Sequence, residues 1–396
     1  MHPRFQTPHH VVLLIGLACA VGSLLVDVRR VIPLTNICTP VWSAMTTMAA
    51  LPLREATLLV WLEGEHTVRH CSLLLLLALT LLTRTAHAQE GAPLRLVQTI
   101  PLPHVEGRID HMAVDLHGQR LFVAALGNNT LEVLDLQAGT HLHTITGLHE
   151  PQGVVFLSES NTIVVTNGQT GACDLFDGTA FQHRGAVKLT SDADNVRYDA
   201  ATHTLYVGYG AGALGLIDAT RAQHLEDIPL QGHPEAFQLA QAGPRIFVNV
   251  PSAHHVAVVD RDTRAVITTW TLQGAEANFP MALDDTQHRL FIGVRTPPLL
   301  LVLDTESGKE IARVPSVGDA DDLFYDAPHR RIYIAGGAGV LSIVAQEDAD
   351  HYTPVATLPT AAGARTALWV PELGRLVLAV PHRGSQGAEI RVYAIP

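Results

Sequence analysis

From Gln119 to Asp135 the chain reads QRLFVAALGNNTLEVLD: a short apolar strand, a Gly-Asn-Asn turn, then an alternating strand that ends on an aspartate. The pattern returns all the way to the C-terminus. Its apolar strand recurs as Leu121-Phe122, Ile163-Val164, Leu205-Tyr206, Ile246-Phe247, Leu290-Phe291, Ile332-Tyr333 and Leu376-Val377. The second residues of these pairs are spaced by 42, 42, 41, 44, 42 and 44 positions. Seven units of several short strands each, with no long helical period, predict an all-β chain folded as a seven-bladed β-propeller.

The strand that follows each turn repeats as well: Leu131–Asp135, Cys173–Asp177, Leu214–Asp218, Val256–Asp260 and Leu300–Asp304. Two further copies, Leu341–Ala345 and Ile390–Ala394, lack the closing aspartate. An aspartate at that place caps the next turn by accepting backbone N–H groups. A residue repeated in five blades is structural rather than catalytic. The last unit offers only Ala367–Val370, Leu376–Val380 and Ile390–Ile395, one strand short of a blade. Leu94–Leu102 stands ahead of the first unit and resembles the fourth strands elsewhere, such as Tyr352–Pro359. It is expected to close the ring beside Ile390–Ile395, which removes an exposed sheet edge.

Residues 1–88 read differently. Arg69-His70, the Leu-rich run Cys71–Leu82 and an Ala-His-Ala site before Gln89 have the layout of a secretory signal peptide over 69–88. Such a signal begins a protein, so 1–68 is expected to be an over-extended N-terminus, with Val68 as the start. The other reading is a membrane anchor around the apolar run Val11–Val26, shorter than the ~20 residues a span needs. Residues 89–396 would form the propeller, periplasmic or secreted, with membrane contact only if the N-terminal segment is retained.

The resemblance of two segments sharpens this. GRIDHMAVD (Gly107–Asp115) followed by RLFVAALGNNTLEVLD, and GDADDLFYD (Gly318–Asp326) followed by RRIYIAGGAGVLSIV, resemble the YVTN/YncE-type seven-bladed propeller repeat proteins of bacterial envelopes. The resemblance covers residues 94–396. The Y-V-T-N signature stands in degenerate forms, Phe122-Val123-Ala124-Ala125 and Val164-Val165-Thr166-Asn167. It implies an envelope propeller and no particular activity.

Charge and cysteine content narrow the partners. The chain carries a formal charge of −12. Residues 1–88 hold six Arg and four acids, so the rest has 20 basic and 34 acidic residues, a net of −14. That field repels a nucleic-acid backbone, and Lys188 and Lys309 are the only lysines. After cleavage Cys173 alone would remain, too few for an internal disulfide. Cys173 is expected to be buried filler. H-E-x-x-H, P-loop, C-x-x-C-H and G-x-S-x-G motifs are absent.

Candidate chemistry lies in the loops that enter each first strand, which a propeller gathers around one end of its channel. Twelve positions before the aligned residue stand Asp110, Gln152, Asp194, Glu235, Phe279, Asp321 and Arg365. Eleven before stand His111, Gly153, Asn195, Ala236, Pro280, Asp322 and Thr366; fourteen before stand Arg108, Glu150, Asp192, His233, Ala277, Asp319 and Gly363. The site candidates are Arg108, Asp110, His111, Asp194, Asn195, Glu235, Asp321, Asp322 and Arg365. Asp192–Asn195 and Asp319–Asp322 are expected to face each other across the channel. Oxygen ligands of this kind suit a divalent cation such as Ca²⁺, and histidine with carboxylates suits a transition metal. Arg108 and Arg365 could clamp a ligand carboxylate instead, or the acids are solvated or paired with those arginines. A second loop set adds Asn128, Asn129, Tyr209, His254, His255, Arg295 and His382. Adjacent His254 and His255 would point oppositely in a strand. Two functions stay open: a binding or scaffold module for a small ligand, peptide or protein, and a metal-dependent, lactonase-like hydrolase using the channel carboxylates. Single-stranded DNA binding is disfavoured by the charge and by the lack of a basic, aromatic-lined groove.

Overall fold

In Leu121–Ala125 every side chain is buried, which ordinary one-sided alternation would not give. The reason is that both faces of the strand are covered. Leu121, Val123 and Ala125 pack into one cluster with Val377 and Ile390, whereas Phe122 and Ala124 pack into another with Ile163 and Val165. Alternate residues therefore serve opposite blade interfaces. The same sharing generates seven apolar clusters, one between each pair of neighbouring blades, including the last and the first.

The computed structural model describes residues 93–395, so the expectations for residues 1–88 lie outside it. Seven four-stranded antiparallel sheets follow one another: 112–145, 151–188, 193–229, 237–271, 276–315, 320–359 and 367–394, the last completed from the N-terminus. This is the seven-bladed β-propeller. Second and third strands are buried, and fourth strands such as Ala265–Thr271 are mostly exposed. First strands line the channel.

Ring closure follows the expected route. Arg95–Pro101 pairs antiparallel with Glu389–Ala394, placing Ile100 opposite Ile390. Leu102 N–H donates to the Ala388 carbonyl at 2.8 Å. At the channel side the Thr366 hydroxyl donates to the Ile109 carbonyl at 3.2 Å, across 257 residues of sequence.

The repeated aspartates cap turns, as their recurrence implied. Asp135 Oδ1 accepts the N–H groups of Gln137 and Ala138 at 2.8 and 2.7 Å. Asp177, Asp218 and Asp304 each accept two in the same way, and Asp260 accepts Thr263. A second set was not anticipated: Asp115, Asp199 and Asp284 cap the turn after the first strand. Asp135→Ala is expected to lower stability by about 1 kcal/mol, the loss of two bonds to an ionised acceptor at the surface. Urea titration should show a shifted midpoint at unchanged slope; an unmoved midpoint would remove the capping role.

Candidate site at the channel mouth

The positions eleven and twelve before the aligned residue sit where the ladder slips. In blade 3, Ala193 pairs with Tyr209 and Val196 with Val207, so Asp194 and Asn195 together oppose Gly208. Gln152-Gly153 oppose Thr166 in blade 2, and Phe279-Pro280 oppose Gly293 in blade 5. In blade 6 Asp321 is the extra residue. A β-bulge of this kind bends the strand and re-aims its side chains. Blades 1 and 4 keep the local bonds, with Asp110 N–H on Ala124 O at 2.7 Å and Glu235 N–H on Asn249 O at 3.0 Å. Just upstream, Glu150, Asp192, Ala277 and Asp319 adopt positive φ between 43° and 60°, turning the chain into the mouth. Gly153 is required there: a Cβ would stand 2.3 Å from the Asp194 carbonyl oxygen and 2.6 Å from Thr166 Oγ1.

The structure sorts the sequence candidates into three groups. Arg108, Asp110, Asp321 and Arg365 form the first, completed by Asp319 and Arg295. Arg295 Nη2 donates to Asp321 Oδ1 at 2.5 Å, and Arg365 Nε lies 2.9 Å from Asp321 Oδ2. Arg365 Nη1 also reaches Asp319 at 2.9 Å, and Arg108 Nη2 reaches Asp110 at 2.8 Å. The Arg295 guanidinium lies 3.6 Å from the Phe279 ring centre, a cation–π contact. Burial and the neighbouring Asp110 push Asp321 upward, against the pull of Arg365 and Arg295. The arginines read as a ligand clamp thus hold the protein's own carboxylates.

Asp194 and Glu235 belong to the second group, and His233 joins them. One donor atom from each of the three lies within 4.8 Å of the others. His233 Nδ1 donates to the Gly210 carbonyl at 2.7 Å, and its Nε2 lies 3.7 Å from Asp194 Oδ2. Burial, and then the charge of Asp194, push Glu235 up to about 8. Burial opposes charge on His233, but Asp194, the Gly210 carbonyl and Asp192 together raise it to about 9. Asp194 and Asp321 therefore fall into different clusters.

His111, Asn195 and Asp322 form the third group. They line a cavity of about 540 Å³ together with Arg197, Tyr198, Phe156 and Phe324. His111 Nδ1 stands 3.0 Å from Asp110 Oδ1, and its Nε2 stands 4.0 Å from Asp322 Oδ1. Burial resists charge on this imidazole, yet Asp110 prevails and raises it to about 10. Burial pushes Asp322 up to about 7, against His111 and the Ala367 N–H that it accepts at 2.8 Å. Arg197 makes no ion pair among the described residues; its Nη1 donates to Val196 O at 2.9 Å and its guanidinium lies 5.5 Å from the Phe237 ring. Burial lowers its pKa, opposed by Asp322 and Asp194. Asn195 is 2% exposed, and its Oδ1 has no partner.

The second loop set contributes Arg295 only. His254 caps a short 3₁₀ turn with φ 51°, His255 starts a buried strand, and His382 pairs with Glu106 at 2.7 Å. Cys173 is buried among blade 2 and blade 3 residues, and burial pushes its thiol up to about 12. His233, Asp319 and Arg295 stood in the sequence rings without being among the nine candidates, and Arg197 stood in none of them. Arg197 had a usable signal, since it lies two residues beyond Asn195 and so on the same face of its strand.

No family model matches the chain, and no curated protein matches it. Solved structures similar to it include a hydrazine synthase of Kuenenia stuttgartiensis, with a TM-score of 0.62 and 15% identity over 72% of this chain and 94% of that one. Another is a chain of a mitotic checkpoint complex, with a TM-score of 0.65 and 14% identity over 76% and 91%. At such identities the likeness carries the propeller fold and no activity.

Proposed function

We propose that this chain is an exported, YVTN/YncE-like ligand-binding propeller of the bacterial envelope, and that it takes a small carboxylate ligand into the mouth of its channel. Arg197 carries the reading. Arg197 lines the cavity of about 540 Å³, and its guanidinium makes no ion pair among the described residues. A planar guanidinium with donors to spare matches a carboxylate in two parallel bonds. Asn195 Oδ1 offers an acceptor for a ligand hydroxyl or N–H, and Tyr198, Phe156 and Phe324 supply the apolar wall usual in small-molecule sites. Asp322, shifted to about 7, can hold a proton near neutral pH instead of repelling the ligand. The layout of residues 69–88 supports export. A net charge of −14 over residues 89–396 argues against nucleic acid.

A metal-dependent hydrolase is the second reading, favoured by the meeting of Asp194, His233 and Glu235. Calorimetric titration with a panel of small mono- and dicarboxylic acids, alongside a lactone-hydrolysis assay, separates the two. Binding without turnover is expected, and Arg197→Gln should weaken it about 100-fold, the loss of a bidentate charged contact worth ~3 kcal/mol. A panel that gives no binding, or an Arg197→Gln protein that binds as the parent does, would remove the reading.

A further inference from the structure

We propose that Asp194, His233 and Glu235 bind one first-row transition-metal ion of the zinc class, in a three-ligand site with coordination positions left free. The inference is independent of the carboxylate reading, because it concerns a different group of side chains.

Geometry comes first. Donors around a tetrahedral ion with bonds of ~2.0–2.2 Å stand about 3.3–3.6 Å apart. His233 Nε2 and Asp194 Oδ2 are already 3.7 Å apart, and the three donors lie within 4.8 Å of one another. Closure needs side-chain adjustments of about 1 Å. Among the described residues no other group of three such donors converges so closely.

The histidine is oriented for the task. A carbonyl oxygen only accepts, so the 2.7 Å contact with Gly210 O assigns a proton to Nδ1 and turns Nε2 toward Asp194 and Glu235. Metal-binding imidazoles are characteristically held in this way, by a hydrogen bond from the ring nitrogen that does not bind the ion.

Asp194 supplies a separate sign. It is 7% exposed, and its Oδ1 has no hydrogen-bond partner. A buried carboxylate oxygen without a donor is unfavourable, and a bound cation would satisfy it. The ligands also sit on firm supports. Asp194 lies in the blade 3 bulge, and His233 and Glu235 flank the buried Pro234 on the entry to blade 4. Pro234 packs so near Gly208 that a Cβ there would meet its Cγ at 3.0 Å. An ion would thus tie two neighbouring blades at the channel mouth.

The donor set selects the ion class. One imidazole and two carboxylates suit Zn²⁺ and its neighbours, whereas Ca²⁺ requires six to eight oxygens. Protein without a histidine tag, stripped with chelator, is titrated with ZnCl₂ and with CaCl₂ while bound metal and Tm are measured. One Zn²⁺ per chain is expected, with a Tm rise that Ca²⁺ does not give. His233→Ala and Asp194→Asn should each weaken Zn²⁺ binding about 100-fold or more, and His254→Ala, a surface histidine, should leave it unchanged. Absence of a stoichiometric ion, unchanged affinity in both site variants, or preference for Ca²⁺ would overturn the proposal. If neither site variant folds, Co²⁺ added to the parent decides: the visible bands of a four- or five-coordinate ion support the site, and the spectrum of aqueous Co²⁺ rejects it.

Discussion

A chain that begins at His104 instead of Gln89 is expected to lose most of its folding stability. The segment removed contains the strand Arg95–Pro101, which supplies the fourth strand of blade 7. It takes with it Leu94, Ile100 and Leu102, all no more than 3% exposed. Ile100 and Leu102 belong to the cluster between blades 7 and 1, and Leu94 to that between blades 6 and 7. Burying three such side chains contributes roughly 5–9 kcal/mol, against a total of about 5–15 kcal/mol for a typical domain. Removal also bares the edge of Glu389–Ala394, opening its backbone to pairing with another chain. Urea denaturation and light scattering of the two proteins check this. The short form should unfold at much lower urea, or aggregate; a midpoint equal to that of the longer form would show that the ring does not depend on this closure.

That closure was legible because a missing strand at one end and a spare strand at the other are both properties of a repeat. The caps at Asp135 and its counterparts were legible for the same reason. The site was readable only to the level of rings. Counting back from the aligned residue found the bulge residues, since blades 2, 3, 5 and 6 place their bulges at the same offset. Counting could not find which side chains meet. His233 belongs to the ring two positions upstream of Glu235, yet both reach Asp194 from the neighbouring blade. Arg295 comes from a different loop and reaches Asp321 by crossing the face of Phe279. Such meetings depend on side-chain reach and on the offset between blades, which strand periodicity does not carry. The arginine cluster shows the consequence. Arg108 and Arg365 were readable either as a ligand clamp or as partners of the channel acids, and both are paired: Arg108 with Asp110 two residues on, Arg365 with Asp319 and Asp321 of the preceding blade.

Asp322→Asn is expected to stabilise the protein at pH 8 and to leave it unchanged near pH 4. Asp322 is buried, and burial pushes its pKa from 3.8 up to about 7. Between those values the folded protein holds more protons than the unfolded chain, so stability falls as pH rises through the window. Above about pH 7 the full penalty is present. A shift of about three units sets a ceiling of ~4 kcal/mol. That shift already includes the attraction of His111, whose Nε2 stands 4.0 Å away, and the variant also loses the carboxylate's support for the charge on buried Arg197. A net gain of about 2 kcal/mol at pH 8 is the expected result. Asparagine retains an oxygen for the Ala367 N–H, so the backbone bond at 2.8 Å has an acceptor in both proteins. Urea titrations of parent and variant at pH 4, 6 and 8 should diverge steadily with pH. A constant difference, or a less stable variant at pH 8, would mean that Asp322 is held as a carboxylate by His111 and Arg197. If the divergence is seen, asparagine would serve the fold better at this position, and the carboxyl group's remaining distinction is a proton that it can exchange inside the channel, beside the one guanidinium there without an acidic partner among the described residues.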